Sequence, residues 1–265
     1  MPIECPIEVP PCPNDRFKDI DRLVMGAAFD SQNFFGRLCD ERVYENDVAA
    51  RLRALDVDVY TQVPVRVSHE GFEKVYRLDL LAGGMVYEIK VAASFTKSHS
   101  AQVLNYAALL GIPRIKLLNF GTAQVNGRLV GCPFEIQDRH TITVDFSRWQ
   151  ALTSNCQVLL DRTRALLVTD IGGFLRAKLC EEALLWFGGG PDCCHQRLPV
   201  SRNGLEVGSH LWNLYQPECA FLVTTMPTAS RDYERSLHRL LKALPVRGIQ
   251  WINIHHTHLR IVTVA

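Results

Sequence analysis

The sequence predicts an α/β protein built from two tandem domains, each with a mixed central sheet flanked by helices. Hydrophobic periodicity gives the order helix, helix, three strands, helix, strand over residues 17–120. The pair Gly83-Gly84 lies between two β-rich runs and predicts a hairpin. Residues 164–264 repeat the apolar positions of the first part. We therefore expect a proline-rich arm at 1–16, a first domain at 17–149 and a second at 150–265.

Composition sets the class of protein and the kinds of partner. The chain has 265 residues, of which 47% are hydrophobic and 22% charged, enough for two small domains with their own cores. A net charge of +1 gives no globally basic surface, so a nucleic-acid partner has to be argued locally. The nine cysteines include no CxxC pair, which favours reduced thiols and a cytoplasmic location. No apolar run approaches the length of a membrane span, so we expect neither an export signal nor a membrane partner.

The arm and two helices come first. Five prolines predict an extended arm over positions 1–15, loosely ordered or laid on another surface. Apolar residues at helical spacing predict a first helix at 17–29, which Gly36 ends, and a second helix at 38–55. One face of the second helix carries two glutamates, and either a water-facing helix or a functional site explains them. That face consists of Glu41, Tyr44, Glu45, Val48 and Leu52.

Strands and a third helix follow. Residues 57–67 alternate as a strand, and the Gly83-Gly84 hairpin comes after it. A polar stretch at 94–100 can cap a third helix at 101–110, which Gly111 ends. The apolar run 115–120 follows that helix, so it is expected to be a buried strand parallel to its neighbour. Residues 129–144 add strand-like sequence at an edge.

The hairpin brings two acids together. With Gly83 and Gly84 as a two-residue loop, Leu80 pairs with Tyr87, and Asp79 falls opposite Glu88. Opposed like charges are destabilising, and a divalent cation would compensate. Lys90 projects from the same strand face as Glu88. A solvated hairpin edge explains this spacing as well, but the apolar residues around it favour a place inside a sheet, where unpaired charges are costly.

Several motifs in order resemble the GxxExxY family of the PD-(D/E)XK nuclease superfamily, over roughly residues 20–125. Leu38 stands where the family motif has its glycine, and Leu78 where the superfamily name has proline. The motifs are Gly36 with Glu41-Arg42-Val43-Tyr44-Glu45, Gln62-Val63-Pro64-Val65, Tyr76-Arg77-Leu78-Asp79-Leu80-Leu81, Glu88-Ile89-Lys90, His99-Ser100-Ala101-Gln102-Val103-Leu104-Asn105-Tyr106 and Leu118-Asn119-Phe120-Gly121.

The resemblance implies a restriction-endonuclease-like fold and a metal-dependent nuclease acting on DNA. It makes Asp79 and Glu88 the ligands of Mg²⁺ or Mn²⁺, with the Ile89 carbonyl as a third ligand. Lys90 resembles the catalytic lysine. The resemblance also implies a helix glutamate, Glu45 or Glu41, and a Q-x-x-x-Y element formed by Gln102 and Tyr106. His99 is a candidate phosphate contact, and a capping or surface role explains it equally well.

The second half keeps the apolar pattern and loses the chemistry. At a constant numbering offset of 134, Asp79 falls on Asn213, Glu88 on Leu222 and Lys90 on Thr224. Gln102 falls on Ser236 and Tyr106 on Leu240. These matches predict a degenerate copy of the first domain that cannot bind a metal in the same way; chance similarity between two α/β segments is the alternative.

A basic helix face in the second half is the other candidate for DNA contact. Residues 1–149 carry 17 Lys and Arg against 19 Asp and Glu, whereas residues 150–265 carry 12 against 9. Arg231 and Arg235 begin a basic series at helical spacing, which either contacts phosphates or is a solvated face. The rival to a nuclease is a non-catalytic nucleic-acid-binding or scaffolding protein of a defence or repair complex. Under either interpretation, a homodimer or a larger complex is possible.

Overall fold

The computed structural model describes residues 3–132, 136–215, 219–228 and 230–265. The chain divides into two compact units. The first contains the residues up to Ser68 together with Glu73–Ile136, and the second contains His69–Phe72 together with Gln137–Ala265. Each unit has a six-stranded sheet of mixed direction with helices beside it. The predicted α/β class with two mixed sheets is therefore confirmed.

The first unit contains three helices and six strands in its described part. The helices are α1 (Asn14–Phe35), α2 (Glu41–Arg53) and α3 (Lys97–Leu110). The strands are β1 (Ile3–Glu4), β2 (Val59–His69), β3 (Phe72–Ala82), β4 (Met85–Lys90), β5 (Arg114–Asn119) and β6 (Asn126–Gly131).

The strands of the first sheet lie in chain order from β1 to β6. Strands β3 and β4 are antiparallel, β4 and β5 parallel, and β5 and β6 antiparallel. The parallel pairing predicted for the strand after the third helix is thus confirmed. The predicted arm is partly a strand, because Ile3 and Glu4 pair with Val67 and Arg66 of β2.

Helices α1 and α2 cover one face of this sheet. Their apolar residues form one core with the side chains of β3 to β5, and the Tyr44 ring stacks on Phe120 at 4.3 Å between centroids. Helix α1 is longer than the predicted 17–29, and it ends at Gly36 as expected. Helix α2 is shorter than the predicted 38–55 and begins after Asp40. The core includes Val24, Ala28, Tyr44, Val48, Leu80, Tyr87, Ile89 and Leu118.

A 3₁₀ helix at Ile136–His140 leads into the second unit, which includes a π-helix at Ala165–Ile171. Its α-helices are α4 (Ser154–Arg164), α5 (Ala177–Phe187), α6 (Pro191–Cys194) and α7 (Arg231–Leu241). Its strands are β7 (Thr143–Arg148), β8 (His195–Arg202), β9 (Leu205–Leu214), β10 (Ala220–Thr224), β11 (Ile249–His255) and β12 (His258–Val264).

The second sheet has the order β7-β12-β11-β10-β9-β8. Strands β9 and β10 are antiparallel, β10 and β11 parallel, and β11 and β12 antiparallel. Across the described residues, no helix is both long enough and apolar enough to traverse a bilayer.

The strand-like stretch 129–144 is divided between two sheets, whereas the sequence indicates one edge. Strand β6 pairs with β5 at the edge of the first sheet, and β7 pairs with β12 at the edge of the second. Residues 133–135 of this stretch lie outside the described residues. Short apolar runs carry no information about which sheet receives them.

Candidate active site

The Gly83-Gly84 reversal sets the register of β3 against β4. Both glycines have positive φ, +56° and +86°, which is the conformation that a two-residue hairpin loop of type I′ requires. The pairs are Ala82 with Met85, Leu81 with Val86, and Leu80 with Tyr87, as the sequence predicts. This register carries Asp79 and Glu88 to the next position along the two strands.

Asp79, Glu88 and Lys90 come together beyond that last pair. The Lys90 Nζ donates to Glu88 Oε1 at 2.7 Å and lies 4.0 Å from Asp79 Oδ2. Asp79 Oδ2 also accepts a hydrogen bond from the Ile89 main-chain N–H at 2.8 Å. The carboxyl groups of Asp79 and Glu88 are close enough that the charge of Asp79 raises the pKa of Glu88. The predicted cluster of two acids and a lysine is therefore present in the geometry.

Helix α3 adds a glutamine and a tyrosine to the cluster. The Gln102 Nε2 donates to Glu88 Oε1 at 2.5 Å and to the Tyr106 hydroxyl oxygen at 3.0 Å. Residues four apart lie on one helix face, so Tyr106 is linked to the cluster through Gln102. Glu88 Oε1 thus accepts hydrogen bonds from two side chains, Lys90 and Gln102.

A capping box fixes the start of α3 and accounts for His99. The His99 N–H donates to Thr96 Oγ1 at 3.2 Å, and the Thr96 N–H donates to His99 Nδ1 at 3.3 Å. The helix consequently begins at Lys97, upstream of the predicted start at Ala101. Because Nδ1 accepts a hydrogen bond, the proton of a neutral ring resides on Nε2. The capping role is observed, and the phosphate contact of His99 stays a prediction.

Burial dominates the electrostatics of the cluster. Glu88 is 1% exposed, and this burial, together with the charge of Asp79, raises the pKa of Glu88 to about 8. Burial likewise raises the pKa of Asp79. Burial alone would lower the pKa of Lys90, but the hydrogen bond and charges of Glu88, Asp79 and Glu41 together exceed this effect and raise the pKa. Lys90 is therefore an ammonium ion beside a carboxyl group that holds its proton near neutral pH.

The two helix glutamates differ in their partners. Glu45 is 2% exposed, and both its oxygens are engaged: Oε1 accepts from Arg42 at 2.6 Å and Oε2 from Gln62 at 2.7 Å. Glu41 is half exposed, accepts a hydrogen bond from the Val91 N–H at 3.1 Å, and lies 3.6 Å from the Lys90 ammonium. Glu41 is thus the helix carboxylate nearer to Lys90.

The cluster fits a cation that takes few ligands from the protein. Within the described ranges, no group of three or more His, Cys, Asp or Glu side chains is arranged to hold a metal ion. Mg²⁺ is commonly held by one or two carboxylates together with water and substrate phosphates, so Asp79 and Glu88 suffice for it. Glu88 Oε2 is buried and has no hydrogen-bond partner among the described residues, so this oxygen is available to a cation when the carboxyl group is ionised. The direction of the Ile89 carbonyl toward a metal stays a prediction.

Arg231 and Arg235 lie far along the chain, on α7 of the second unit. Arg231 opens the helix after the cap Ser230, and Arg235 forms an ion pair with Asp232. Both arginines line an open cleft of about 570 Å³. Arg148 and Glu234 line the same cleft, and Arg148 donates to Glu234 at 2.9 Å. The acidic partners reduce the positive potential that the sequence spacing indicates.

Sequence reasoning missed the role of Gln62. The sequence places it only within a motif, whereas its Nε2 lies 2.7 Å from Glu45 Oε2 and 3.4 Å from Asp79 Oδ1. The signal available in the sequence is a single amide in an otherwise apolar stretch, Gln62-Val63-Pro64-Val65. Nothing in that stretch indicates which carboxylates the amide meets.

The comparisons with known proteins support the same region of the chain. No curated protein and no solved structure matches the chain. Residues 18–129 match the family model of the PD-(D/E)XK nuclease superfamily, whose members are generally phosphodiesterase nucleases. The match covers the two helices, the hairpin with Asp79, Glu88 and Lys90, and helix α3 with Gln102. This part of the chain is therefore similar to a nuclease domain.

Proposed function

We propose that the protein is a Mg²⁺- or Mn²⁺-dependent nuclease that hydrolyses phosphodiester bonds in DNA at the site formed by Asp79, Glu88 and Lys90. The observation that carries the proposal is the convergence of these three residues with Gln102 around one buried carboxyl group, inside the segment that matches the nuclease model. A pure scaffold has no physical need for opposed carboxyl groups in a buried position, because their mutual repulsion and desolvation cost stability.

The carboxylates hold the metal in this proposal. Asp79 and Glu88 provide two oxygens, and Glu41, which is half exposed and close to Lys90, is the better placed helix glutamate for an additional contact. When bound, Mg²⁺ supplies Lewis acidity toward the phosphate and makes water more acidic. Removal of the proton from Glu88 accompanies binding, because the pKa of its metal-free carboxyl group is about 8.

Lys90 acts on the substrate in this proposal, whereas Gln102 and Tyr106 orient Glu88. The Lys90 ammonium neutralises charge that develops on the phosphate, or orients the attacking water. Gln102 holds Glu88 Oε1 and is itself linked to the Tyr106 hydroxyl, so α3 fixes the orientation of the Glu88 carboxyl. His99 offers a ring N–H at the start of α3 as a phosphate contact.

The second unit is a degenerate, inactive copy in this proposal. Asn213, Leu222 and Thr224 replace the two acids and the lysine, so a cation finds no carboxylate pair there. Arg231 and Arg235 supply phosphate contacts that strengthen binding to DNA. This role is structural or substrate-positioning and requires no chemistry in the second unit.

A cleavage assay tests the proposal directly. The purified chain is incubated with Mg²⁺ or Mn²⁺ on linear duplex, circular duplex and single-stranded DNA, beside the variant Asp79→Ala. We expect the wild type to cut at least one substrate, with cutting blocked by a chelator and abolished in Asp79→Ala. The matched control is Asn213→Ala, the corresponding position of the second unit, which should cut like the wild type.

Thermal melting separates the metal site from the chemistry. Mn²⁺ should raise the melting temperature of the wild type by mass action, and Asp79→Ala should abolish the increase. An equal response of both proteins would exclude this metal site. A chain that binds DNA without cutting it under every condition would favour the rival, a non-catalytic nucleic-acid-binding or scaffolding protein.

A further inference from the structure

Gln62 lies between two acids that come from different elements of the first unit. Glu45 is on α2 and Asp79 is on β3, and the Gln62 Nε2 is within hydrogen-bond distance of one oxygen of each. Ionised carboxylates only accept hydrogen bonds, so the amide nitrogen, with its two hydrogens, must face them. One neutral side chain therefore joins two groups that would otherwise repel each other.

The backbone of Gln62 is in an unusual conformation for its position. Its φ is +53°, in the left-handed region that non-glycine residues seldom adopt. Five other non-glycine residues in the described part of the chain have positive φ, and all of them lie in turns or bends, whereas Gln62 lies inside β2. Those five are Asp56, Glu70, Phe174, Asn203 and His256. Strain within a regular element is typical of sites where the surrounding structure needs a particular side-chain position.

The remaining oxygens of both acids are also held. Glu45 Oε1 accepts from Arg42, and Asp79 Oδ2 accepts from the Ile89 N–H. Gln62 thus completes a continuous chain of hydrogen bonds from Arg42 through Glu45 to Asp79. Because Asp79 is bound at both oxygens, the plane of its carboxyl group is fixed.

The second unit shows what happens at the same place when the acid pair is absent. There Asn213 donates directly to Glu181 Oε1 at 2.6 Å. Glu181 falls on Glu45 at a numbering offset of 136, and Asn213 falls on Asp79 at an offset of 134. The Asn213 amide on the strand thus contacts the helix glutamate directly, with no third side chain between them as Gln62 is in the first unit. At an offset of 135, Arg197 falls on Gln62 and lies in a regular antiparallel pair with Leu211.

We propose that Gln62 is a positioning residue of the nuclease site: it links the buried carboxylate of Glu45 to Asp79 and fixes the orientation in which Asp79 meets the metal. The inference rests on the proposed function, since it assigns Asp79 to metal binding. Outer partners of metal ligands commonly contribute about tenfold to hundredfold in metal affinity. Glu45 then acts through Gln62, and it is not itself a ligand.

Two substitutions separate the amide from the backbone strain. Gln62→Gly removes the amide and relieves the strain, because glycine adopts positive φ readily. Gln62→Ala removes the amide and keeps the strain. We expect both variants to bind Mn²⁺ about tenfold or more weakly in isothermal titration calorimetry. In the metal-free state, Gln62→Gly should melt at a higher temperature than Gln62→Ala.

Controls distinguish this role from a structural one. Asp56→Gly relieves a φ of +55° in a turn of the same unit and should leave Mn²⁺ affinity unchanged. Glu45→Ala should weaken Mn²⁺ binding as much as Gln62→Ala. The double variant should bind Mn²⁺ no more weakly than either single variant, because both substitutions interrupt the same chain of hydrogen bonds.

The results of these measurements distinguish an error in the role of Gln62 from an error in the proposed nuclease function. If the wild type binds Mn²⁺ and Gln62→Gly binds it equally well, the role of Gln62 is wrong and the proposed function stands. The same conclusion follows if affinity is lost in Gln62→Ala alone, because then only strain matters. A wild type that neither binds Mn²⁺ nor cuts DNA refutes the proposed function, and the inference falls with it.

Discussion

The two units share a strand framework and differ in what they place on it. In each, an antiparallel pair is followed by a helix-connected parallel pair and another antiparallel pair. Each also holds a loop with a buried asparagine: Asn119 bonds the N–H and carbonyl of Ala92, and Asn253 those of Met226. Both members of this asparagine–loop pair recur at the same numbering offset of 134. This correspondence agrees with the proposal that the second unit is a degenerate copy of the first.

The chemistry diverges at the positions around that shared framework. At the offset of 134, Glu88 corresponds to Leu222, which packs against the apolar core of the second unit. At the same offset, Lys90 corresponds to Thr224, whose hydroxyl donates to Asn253 Oδ1 at 2.7 Å. Apolar strands and one buried asparagine are present with either pair of residues, Glu88 and Lys90 or Leu222 and Thr224. The strand arrangement therefore does not depend on the charged cluster.

The largest expected effect is on catalysis in the first unit alone. Lys90→Ala should lower the rate of DNA cleavage by about a thousandfold, because a charge aimed at the transition state is lost. Mn²⁺ binding should persist, since no metal ligand is removed. Thr224→Ala, at the matching position of the second unit, should cut DNA like the wild type in the same gel assay. Equal cleavage by Lys90→Ala and the wild type would remove this lysine from the mechanism.

The shared asparagines should carry similar stability in both units. Asn119→Ala and Asn253→Ala each leave buried main-chain groups without a partner. Each substitution should lower the free energy of unfolding by about 2–4 kcal/mol. Calorimetric melting curves measure the loss, and the exposed Asn126→Ala should have little effect. A large loss of stability in Asn119→Ala with none in Asn253→Ala would show that the two asparagines do not have equivalent roles.

A pH-dependent stability difference should belong to the first unit. The folded pKa of Glu88 is about 8, above its ordinary value, so the metal-free protein loses stability as pH rises from about 4.5 to 8. Glu88→Gln removes this dependence and should melt about 3 °C or more above the wild type at pH 8, in the presence of chelator. At pH 5 the difference between the two melting temperatures should be much smaller.

The exposed acid Glu206 in the second unit gives the control for that measurement. Glu206→Gln should shift the melting temperature little at either pH, because an exposed carboxyl keeps its solvation in the folded state. A wild type whose stability does not change between pH 5 and pH 8 would contradict the raised pKa of Glu88.

The smallest expected effect concerns the basic helix of the second unit. Arg231→Ala should weaken DNA binding a few fold. It should also reduce the slope of the logarithm of the binding constant against the logarithm of salt concentration by about one, as the loss of one phosphate contact does. Arg235→Ala should have a smaller effect, because Arg235 is already paired with Asp232. Fluorescence anisotropy over a range of salt concentrations measures both. Arg247→Ala, an exposed arginine outside α7, is the control, and an equal loss there would assign the effect to net charge.

Local patterns in the sequence were enough for the hairpin and the acid cluster. The two glycines set the register, and the register places Asp79 beside Glu88 and Lys90 on one face. The parallel pairing of β5 followed from a helix between two apolar strands. These are short-range consequences of turn chemistry and of the twofold period of a strand.

Features that depend on contacts between distant parts of the chain could not be predicted from local patterns. Which sheet accepts β7 depends on the surface that β12 offers, and no pattern within 143–148 specifies it. Local pattern likewise does not indicate the left-handed backbone of Gln62 or the two acids that its side chain joins, which are 17 residues away in each direction. The capping box that moves the start of α3 to Lys97 depends on a histidine acting where glutamate or glutamine is usual.

The Lys90 ammonium lies among three carboxyl groups, and this gives the protein a counterion of its own. Its positive charge offsets the repulsion among the acids that surround it. In the proposed function, a divalent ion would compete with this ammonium group for the same carboxyl oxygens. Its affinity would then rise if the Lys90 side chain moved away from them toward a phosphate.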